Sequence, residues 1–264
     1  MANNQLYAGA FEAPAYPAIR NIDMADLGDA LARGVADFRA MPSHILFLCV
    51  LYPIICILLS RFALHDAVLP LLFPLVSGFS LLGPVAAIFL LELSSQREQG
   101  HRVGWRNSFA VFRSPSIGAI VAVGLVLLAL FVAWLWAALA LYGAIMGDDV
   151  PGSMGAFLGR IFSTEAGWTL IVVGNLVGFL FAVVVLAISV VSLPLLVDRH
   201  VGATLAVVTS IRAVLANPGP MAAWGLIVAC LLIAGSIPFF VGLAVVMPVL
   251  GHATWHLYRK IVVP

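Results

Sequence analysis

The chain has 264 residues, 63% of them hydrophobic and 9% charged, with a mean hydropathy of +1.11. An ordinary soluble domain carries roughly 25% charged residues, so this composition excludes a soluble globular protein, a disordered chain and a secreted disulfide scaffold. Thirteen Lys+Arg against twelve Asp+Glu leave no basic footprint for nucleic acid. What remains is a protein whose main solvent is lipid.

Residues 1–20 read as a flexible N-terminal segment and 21–264 as a single transmembrane domain. Residues 1–43 hold five acidic residues and no early apolar run, so no cleavable signal peptide is expected there. Residues 24–38 set Met24, Leu27, Leu31, Val35 and Phe38 on one helical face and Asp26, Asp29, Arg33 and Asp37 on the other, and the segment stops at Met41-Pro42-Ser43. Apolar runs follow at about 44–60 and 67–93.

The second of these is interrupted by Pro70, Pro74, Gly78, Gly83 and Pro84. Broken helices line substrate sites in transporters. They also occur wherever a neighbour satisfies the freed carbonyls, and that second reading is preferred here.

The pattern then recurs. Residues 102–113 put Trp105, Phe109 and Phe112 on one face beside Arg102, Arg106 and Arg113, stop at Ser114-Pro115-Ser116, and lead into apolar runs at about 117–146 and 168–197. Residues 204–215 align Val207, Val208, Ile211, Val214 and Leu215, stop at Asn217-Pro218-Gly219, and lead into a last apolar stretch, 221–258. As one helix that stretch would measure about 55 Å, too long for a single crossing of a ~30 Å hydrocarbon core. Gly235-Ser236-Ile237-Pro238 breaks it into spans of about 221–236 and 238–257.

The expected fold is therefore all-α: a polytopic bundle of six transmembrane helices in three hairpins, each preceded by an interfacial amphipathic helix, with both termini cytoplasmic. Charge placement agrees, because eleven of the thirteen basic residues fall on the side assigned to the cytoplasm and only Arg61 and Arg160 fall outside it. Arg102, Trp105, Arg106, Trp255, Tyr258 and Arg259 are the expected interfacial anchors. A collar that contacts a partner subunit is the alternative role for the amphipathic segments.

No Asp, Glu, Lys, Arg or His stands in the middle of a span, which argues against a proton-coupled transporter and a mid-membrane haem. Gly174, Asn175 and Gly178 form a small-xxx-small motif with an amide beside it, expected to pack helices within the chain; a homo-oligomer face or a substrate contact at Asn175 is the alternative. Ser189, Ser192 and Pro194 are expected to loosen the fourth span. Cys49, Cys56 and Cys230 read as small hydrophobes.

His252 and His256 stand at i, i+4 around Trp255, a spacing that can share a metal ion, with Glu92 as a third ligand through tertiary contact. The plainer reading is a helix end with its histidines in polar contacts. No nucleophile–base set, P-loop or dinucleotide turn occurs, so no enzyme activity and no cofactor are expected.

Three stretches carry a family likeness: Gly83-Pro84 through Glu92-Leu93-Ser94 into Arg97-Glu98-Gln99-Gly100; Leu193-Pro194-Leu195-Leu196-Val197-Asp198-Arg199; and Gly251-His252-Ala253-Thr254-Trp255-His256-Leu257-Tyr258-Arg259. Together they resemble the bacterial predicted integral-membrane family named domain of unknown function 2189, over roughly residues 20–260. The resemblance implies a multi-pass protein of the bacterial inner membrane and no established activity. The role expected is a non-catalytic accessory, assembly or scaffold subunit of a membrane complex, with the bilayer and other membrane subunits or a second copy as partners. A small-solute transporter or channel using the broken second span is the alternative, and metal binding at the cytoplasmic face a weaker one.

Overall fold

The computed structural model describes residues 16–41, 66–101, 103–147, 152–238 and 240–263. The described residues form helices and no strands. In chain order these are α1 (Met24–Ala40), a 3-10 turn (Asp66–Leu71), α2 (Leu72–Phe79), a short 3-10 turn (Ser80–Leu82), α3 (Gly83–Glu98), a 3-10 segment (Trp105–Arg113), α4 (Ile117–Met146), α5 (Met154–Ser163), α6 (Glu165–Ser189), α7 (Ser192–Asp198), α8 (Ala203–Ala216), α9 (Pro218–Ser236) and α10 (Leu243–Ile261).

Four of the described stretches are long and apolar enough to cross a membrane: Leu69–Glu98, Ile117–Met146, Glu165–Asp198 and Pro218–Ser236. Their most apolar windows are only 17% to 33% buried in the molecule, so most of their apolar surface needs lipid rather than protein to cover it. The expected first span, about 44–60, lies outside the described residues. The expected sixth, about 238–257, falls on α10, which is not among the four. Its second half carries His252, Thr254, His256, Arg259 and Lys260, and these dilute the apolar run.

The helix breaks fall where the sequence punctuates. Pro84 sits in the first turn of α3 and Pro218 opens α9, positions where a missing N–H costs nothing. α9 ends at Ser236 and α10 begins at Leu243, so the long last stretch is two helices, as expected. A Cβ on Gly242 would come within 2.8 Å of the Gly235 backbone, and Phe240 in this turn takes a left-handed φ of 65°. The fourth span is interrupted at Val190–Val191, and Ser210 of α8 accepts the Val191 N–H at 3.1 Å.

The bundle has two distinct ends. At the near end the start of α4 meets the end of α7, where the Ser116 hydroxyl donates to the Arg199 carbonyl at 3.3 Å. The buried Asn217 side chain, at the start of α9, accepts the Ile22 N–H at 2.8 Å and donates to the Arg20 carbonyl at 3.2 Å. Residues 18–20 pair with residues 261–263 through Arg20 N–H to Ile261 O at 2.8 Å and Val263 N–H to Ala18 O at 3.1 Å. At the far end α5 lies across the end of α4, where Tyr142, Met146 and Ile161 make a small separate core and Asp66–Leu71 touches α5.

The three amphipathic segments each pack on neighbouring helices. α1 buries Leu27, Ala30, Gly34 and Asp37, leaves Met24 57% exposed, and lies on α10. Gly34 is what allows this approach: a Cβ there would stand 2.7 Å from Ala253. α8 buries its small and hydroxyl residues, Ala206, Thr209, Ser210 and Ala213, and turns Leu215 outward at 73% exposure. Trp105–Arg113 form the 3-10 segment, which packs on α3 and sets Phe109 and Phe112 against Phe89. In lipid the small face is the one that packs, because apolar side chains gain little by leaving hydrocarbon.

Candidate functional site

The polar side chains of the described chain gather at the near end, where α10 is clasped between α1 and α3. Gly251 lets α10 close on α3, since a Cβ there would collide with Leu90. One turn on, the helix presents His252, Trp255 and His256, and then Tyr258, Arg259 and Lys260.

Asp37 of α1 is the hub. Its Oδ2 accepts the Ser94 hydroxyl at 2.6 Å and faces His256 Nε2 at 2.9 Å, and its Oδ1 accepts the Arg97 guanidinium. Ser94 Oγ also meets His252 Nδ1 at 2.8 Å. Burial pushes the Asp37 carboxyl upward, but the hydrogen bonds from His256 and Ser94 and the field of the two imidazoles outweigh it, so the group stays below its ordinary value.

A second cluster lies further along α10. The Trp255 indole donates to Glu98 Oε2 at 2.8 Å, and Arg259 Nε donates to Glu98 Oε1 at 3.1 Å. The Tyr258 hydroxyl donates to Asp198 Oδ2 at 2.6 Å, and Arg199 and Arg259 approach the same carboxylate at 3.5 and 3.6 Å. Burial and the Asp198 carboxylate push the Tyr258 phenol well above its usual value, so it stays a donor. Lys260 reaches both Asp26 and Asp29 at 2.9 Å. Those hydrogen bonds hold both carboxyls below, and the ammonium above, their ordinary values.

The expected site residues are placed as follows. His252 and His256 turn to Ser94 and Asp37, while Glu92 leaves from the opposite side of α3 and accepts Gln96 Nε2 at 2.6 Å, so the proposed metal ligands are not brought together. Among the described residues no group of three or more His, Cys, Asp and Glu is arranged to hold a metal. Trp255 and Tyr258, expected at lipid headgroups, are each only 1% exposed, and α3 and α7 supply their polar partners, Glu98 and Asp198. Arg259 is held by Glu98 and Asp198 rather than by lipid. Arg106 is exposed, Trp105 opens the 3-10 segment, and Arg102 lies outside the described residues.

The small-residue motif divides. Gly178 faces Trp134 of α4, whose ring would stand 3.1 Å from an added Cβ. Gly174 faces open space, and Asn175 donates to its own Ile171 carbonyl at 2.7 Å instead of crossing to a neighbour. Trp134 also fills the gap at Gly78 and donates its indole N–H to the Pro74 carbonyl at 2.9 Å. The broken second span is thus satisfied by a neighbouring helix.

Beside the network, between α3, the 3-10 segment and α7, lies an open polar cleft of about 460 Å³. Glu92, Gln96, Gln99, His101, Asn107 and Val197 line it.

Residues 72–198 match the family described as predicted integral membrane protein, domain of unknown function 2189. This stretch is similar to that family. No curated protein and no solved structure matches the chain. The domain of unknown function 2189 region contains Ser94, Arg97, Glu98 and Asp198, which come from the first two of the three resembling stretches. The third stretch, residues 251–259, lies beyond the matched region, and its side chains close both clusters.

Asp37 and Ser94 were not separable from surface residues by sequence alone. The available signal was spacing: Asp37 continues the small stripe of Ala30 and Gly34 at i+7 and i+3. Trp134, the plug of the broken span, stood in an unbroken apolar run and carried no signal.

Proposed function

We infer that the chain is a six-span protein of the bacterial inner membrane, with both termini cytoplasmic, that serves as a non-catalytic accessory or assembly subunit of a larger membrane complex. The observation that carries this is the closure of the near-end network. Asp37, Ser94, His252, His256, Glu98, Trp255, Tyr258, Arg259 and Asp198 all bond within the chain, which suits a rigid platform better than a site that must receive and release substrate. The broad apolar faces are where other helices would lie; Trp136, for instance, is 72% exposed.

Six crossings fit the positions of the described ends. The chain stands at the near end at Met41, beside the Asp37 hub, and at the far end at Asp66, where the turn touches α5. Residues 18–20 and 261–263 pair with each other, which needs an even number of crossings between them. Cysteine-accessibility labelling at Ala2 and Val263 tests the topology: both react from the cytoplasmic side, and labelling of either from the opposite side overturns it.

Purification in several mild detergents followed by native mass analysis tests the subunit role. The expected result is a stoichiometric complex with other membrane subunits. Recovery only as a free monomer under every gentle condition overturns it. The transporter reading loses support from Trp134, which occupies the broken span, and from Asn175, which bonds its own helix. Solute uptake in proteoliposomes that Trp134→Ala changes severalfold would restore it.

A further inference from the structure

The carboxylates at the near end differ in one respect. Asp26, Asp29, Asp37, Glu98 and Asp198 each face a Lys, Arg or His side chain within 4 Å. Glu92, half-buried in the wall of the open cleft, has no such partner among the described residues; its hydrogen bond comes from a neutral amide, Gln96 Nε2. Around it stand further groups with acceptor oxygens, the side chains of Gln99 and Asn107. A carboxylate flanked by amides is complementary to a cation that can donate several hydrogen bonds.

An apolar surface adjoins the cleft on its membrane side. Phe89, Glu92, Gln96 and Gln99 follow one stripe of α3 at spacings of three, four and three, so Phe89 continues the cleft wall toward the membrane. Phe109 and Phe112 of the 3-10 segment pack on Phe89, with ring centroids 5.7 Å away in both cases, and stay 41% and 59% exposed. Glu92 lies six residues before the end of the Leu69–Glu98 stretch, about 9 Å along a helix, which is the depth at which headgroups give way to acyl chains.

We propose that this cleft binds the headgroup of an aminophospholipid, with the primary ammonium on Glu92 and the acyl chains over the Phe89–Phe109–Phe112 platform. A primary ammonium offers three donors, which the Glu92 carboxylate and the amide oxygens accept. A trimethylammonium offers none, and a glycerol headgroup offers no positive charge. Gln96 and Gln99 already donate to Glu92, the Asn107 carbonyl and Ser95, so His101 and the Asn107 side-chain amide are the lining groups that face the lipid phosphate. The volume of about 460 Å³ holds a phosphoethanolamine group. The site needs only that the chain sits in a bilayer and is independent of any subunit role.

The test uses the full chain in mild detergent, exposed in turn to vesicles of phosphatidylethanolamine, phosphatidylcholine or phosphatidylglycerol, with retained lipid counted by native mass spectrometry. Phosphatidylethanolamine is retained about tenfold more than the other two, the factor expected for one charge-assisted hydrogen-bonded contact. Glu92→Gln brings it down to the phosphatidylcholine level while the melting temperature stays that of the parent chain. Equal retention of the three lipids by the parent chain overturns the proposal, as does a Glu92→Gln chain that keeps the preference. Displacement of the lipid by millimolar aqueous phosphoethanolamine would move the ammonium site to a soluble amine and overturn the lipid assignment.

Discussion

The two ends of the bundle are held together in different ways. At the far end the side-chain hydrogen bonds among the described residues join neighbours in sequence. The Arg160 guanidinium donates to the Met146 carbonyl, Thr164 Oγ1 to the Arg160 carbonyl at 2.7 Å, and the Trp168 indole to the Phe162 carbonyl at 3.0 Å. At the near end the partners are far apart in the chain: Asp37 with His256, Glu98 with Trp255, Asp198 with Tyr258 and Asp26 with Lys260. Between spans in lipid there is no hydrophobic drive to associate. Directional polar contacts at the water boundary therefore decide which helix lies beside which, and here those contacts are concentrated at one end.

The largest expected effect breaks the near end alone. Asp37→Ala leaves His256, Ser94 and Arg97 without their common acceptor. Removing one partner of a buried charged pair costs about 3–5 kcal/mol, and the partial exposure of Arg97 puts this case near 3 kcal/mol. Arg160→Ala, at the far end, removes a hydrogen bond between sequence neighbours and costs about 1 kcal/mol. Melting curves of the two variants in detergent compare them directly. Equal losses would mean that the two ends contribute alike.

Trp134→Ala comes next. The indole lies against Gly78 and Gly178 and holds the Pro74 carbonyl. In a soluble core such a truncation costs about 3–5 kcal/mol. Here part of the transfer gain is missing because the surroundings are hydrocarbon either way, so roughly 2 kcal/mol is expected. A loss above that of Asp37→Ala would put the organising contact at mid-bundle.

Acid acts on the near end through Asp37. Its carboxyl is held below its unfolded value, so the stabilisation is present above about pH 4 and is lost as pH falls through the lower folded value. Base acts through Lys260, whose ammonium is held above its ordinary value; that contribution is present below about pH 10 and disappears as pH rises through the folded value. Melting temperature against pH should fall on the acid side in the parent chain and fall less in Asp37→Asn.

Much of this architecture could be read before the fold was known. Pro84, Pro218 and the Gly235–Pro238 turn place helix boundaries because a missing N–H or a left-handed turn restricts the backbone locally. The all-helical fold and its apolar spans follow from composition. The faces through which α1 and α8 pack did not follow. Their apolar stripes read as faces laid into the acyl boundary, and the residues that pack on neighbouring helices are mostly small or polar: Ala30, Gly34 and Asp37 with Leu27 in α1, and Ala206, Thr209, Ser210 and Ala213 in α8. For the same reason Trp255 and Tyr258 resembled headgroup anchors. Their partners Glu98 and Asp198 lie 157 and 60 residues away, and no local pattern announces such a pairing.

The smallest expected effect separates two glycines that look alike in sequence. Gly178→Leu must push against the Trp134 ring, already 3.1 Å from a Cβ at that position, and overpacking of this kind costs about 1–3 kcal/mol. Gly174→Leu meets nothing within 4 Å and should change the melting midpoint by no more than about 0.5 kcal/mol equivalent. Asn175→Leu, whose amide serves only its own helix, belongs with Gly174. The same pair of substitutions tests self-association through this face. If a second copy packed against Gly174 and Asn175, the bulkier side chains would shift the native mass distribution toward smaller species even with the fold intact. An unchanged distribution, together with a destabilised Gly178→Leu chain, would assign the motif to the α4–α6 contact and leave its outer face to lipid or to other subunits.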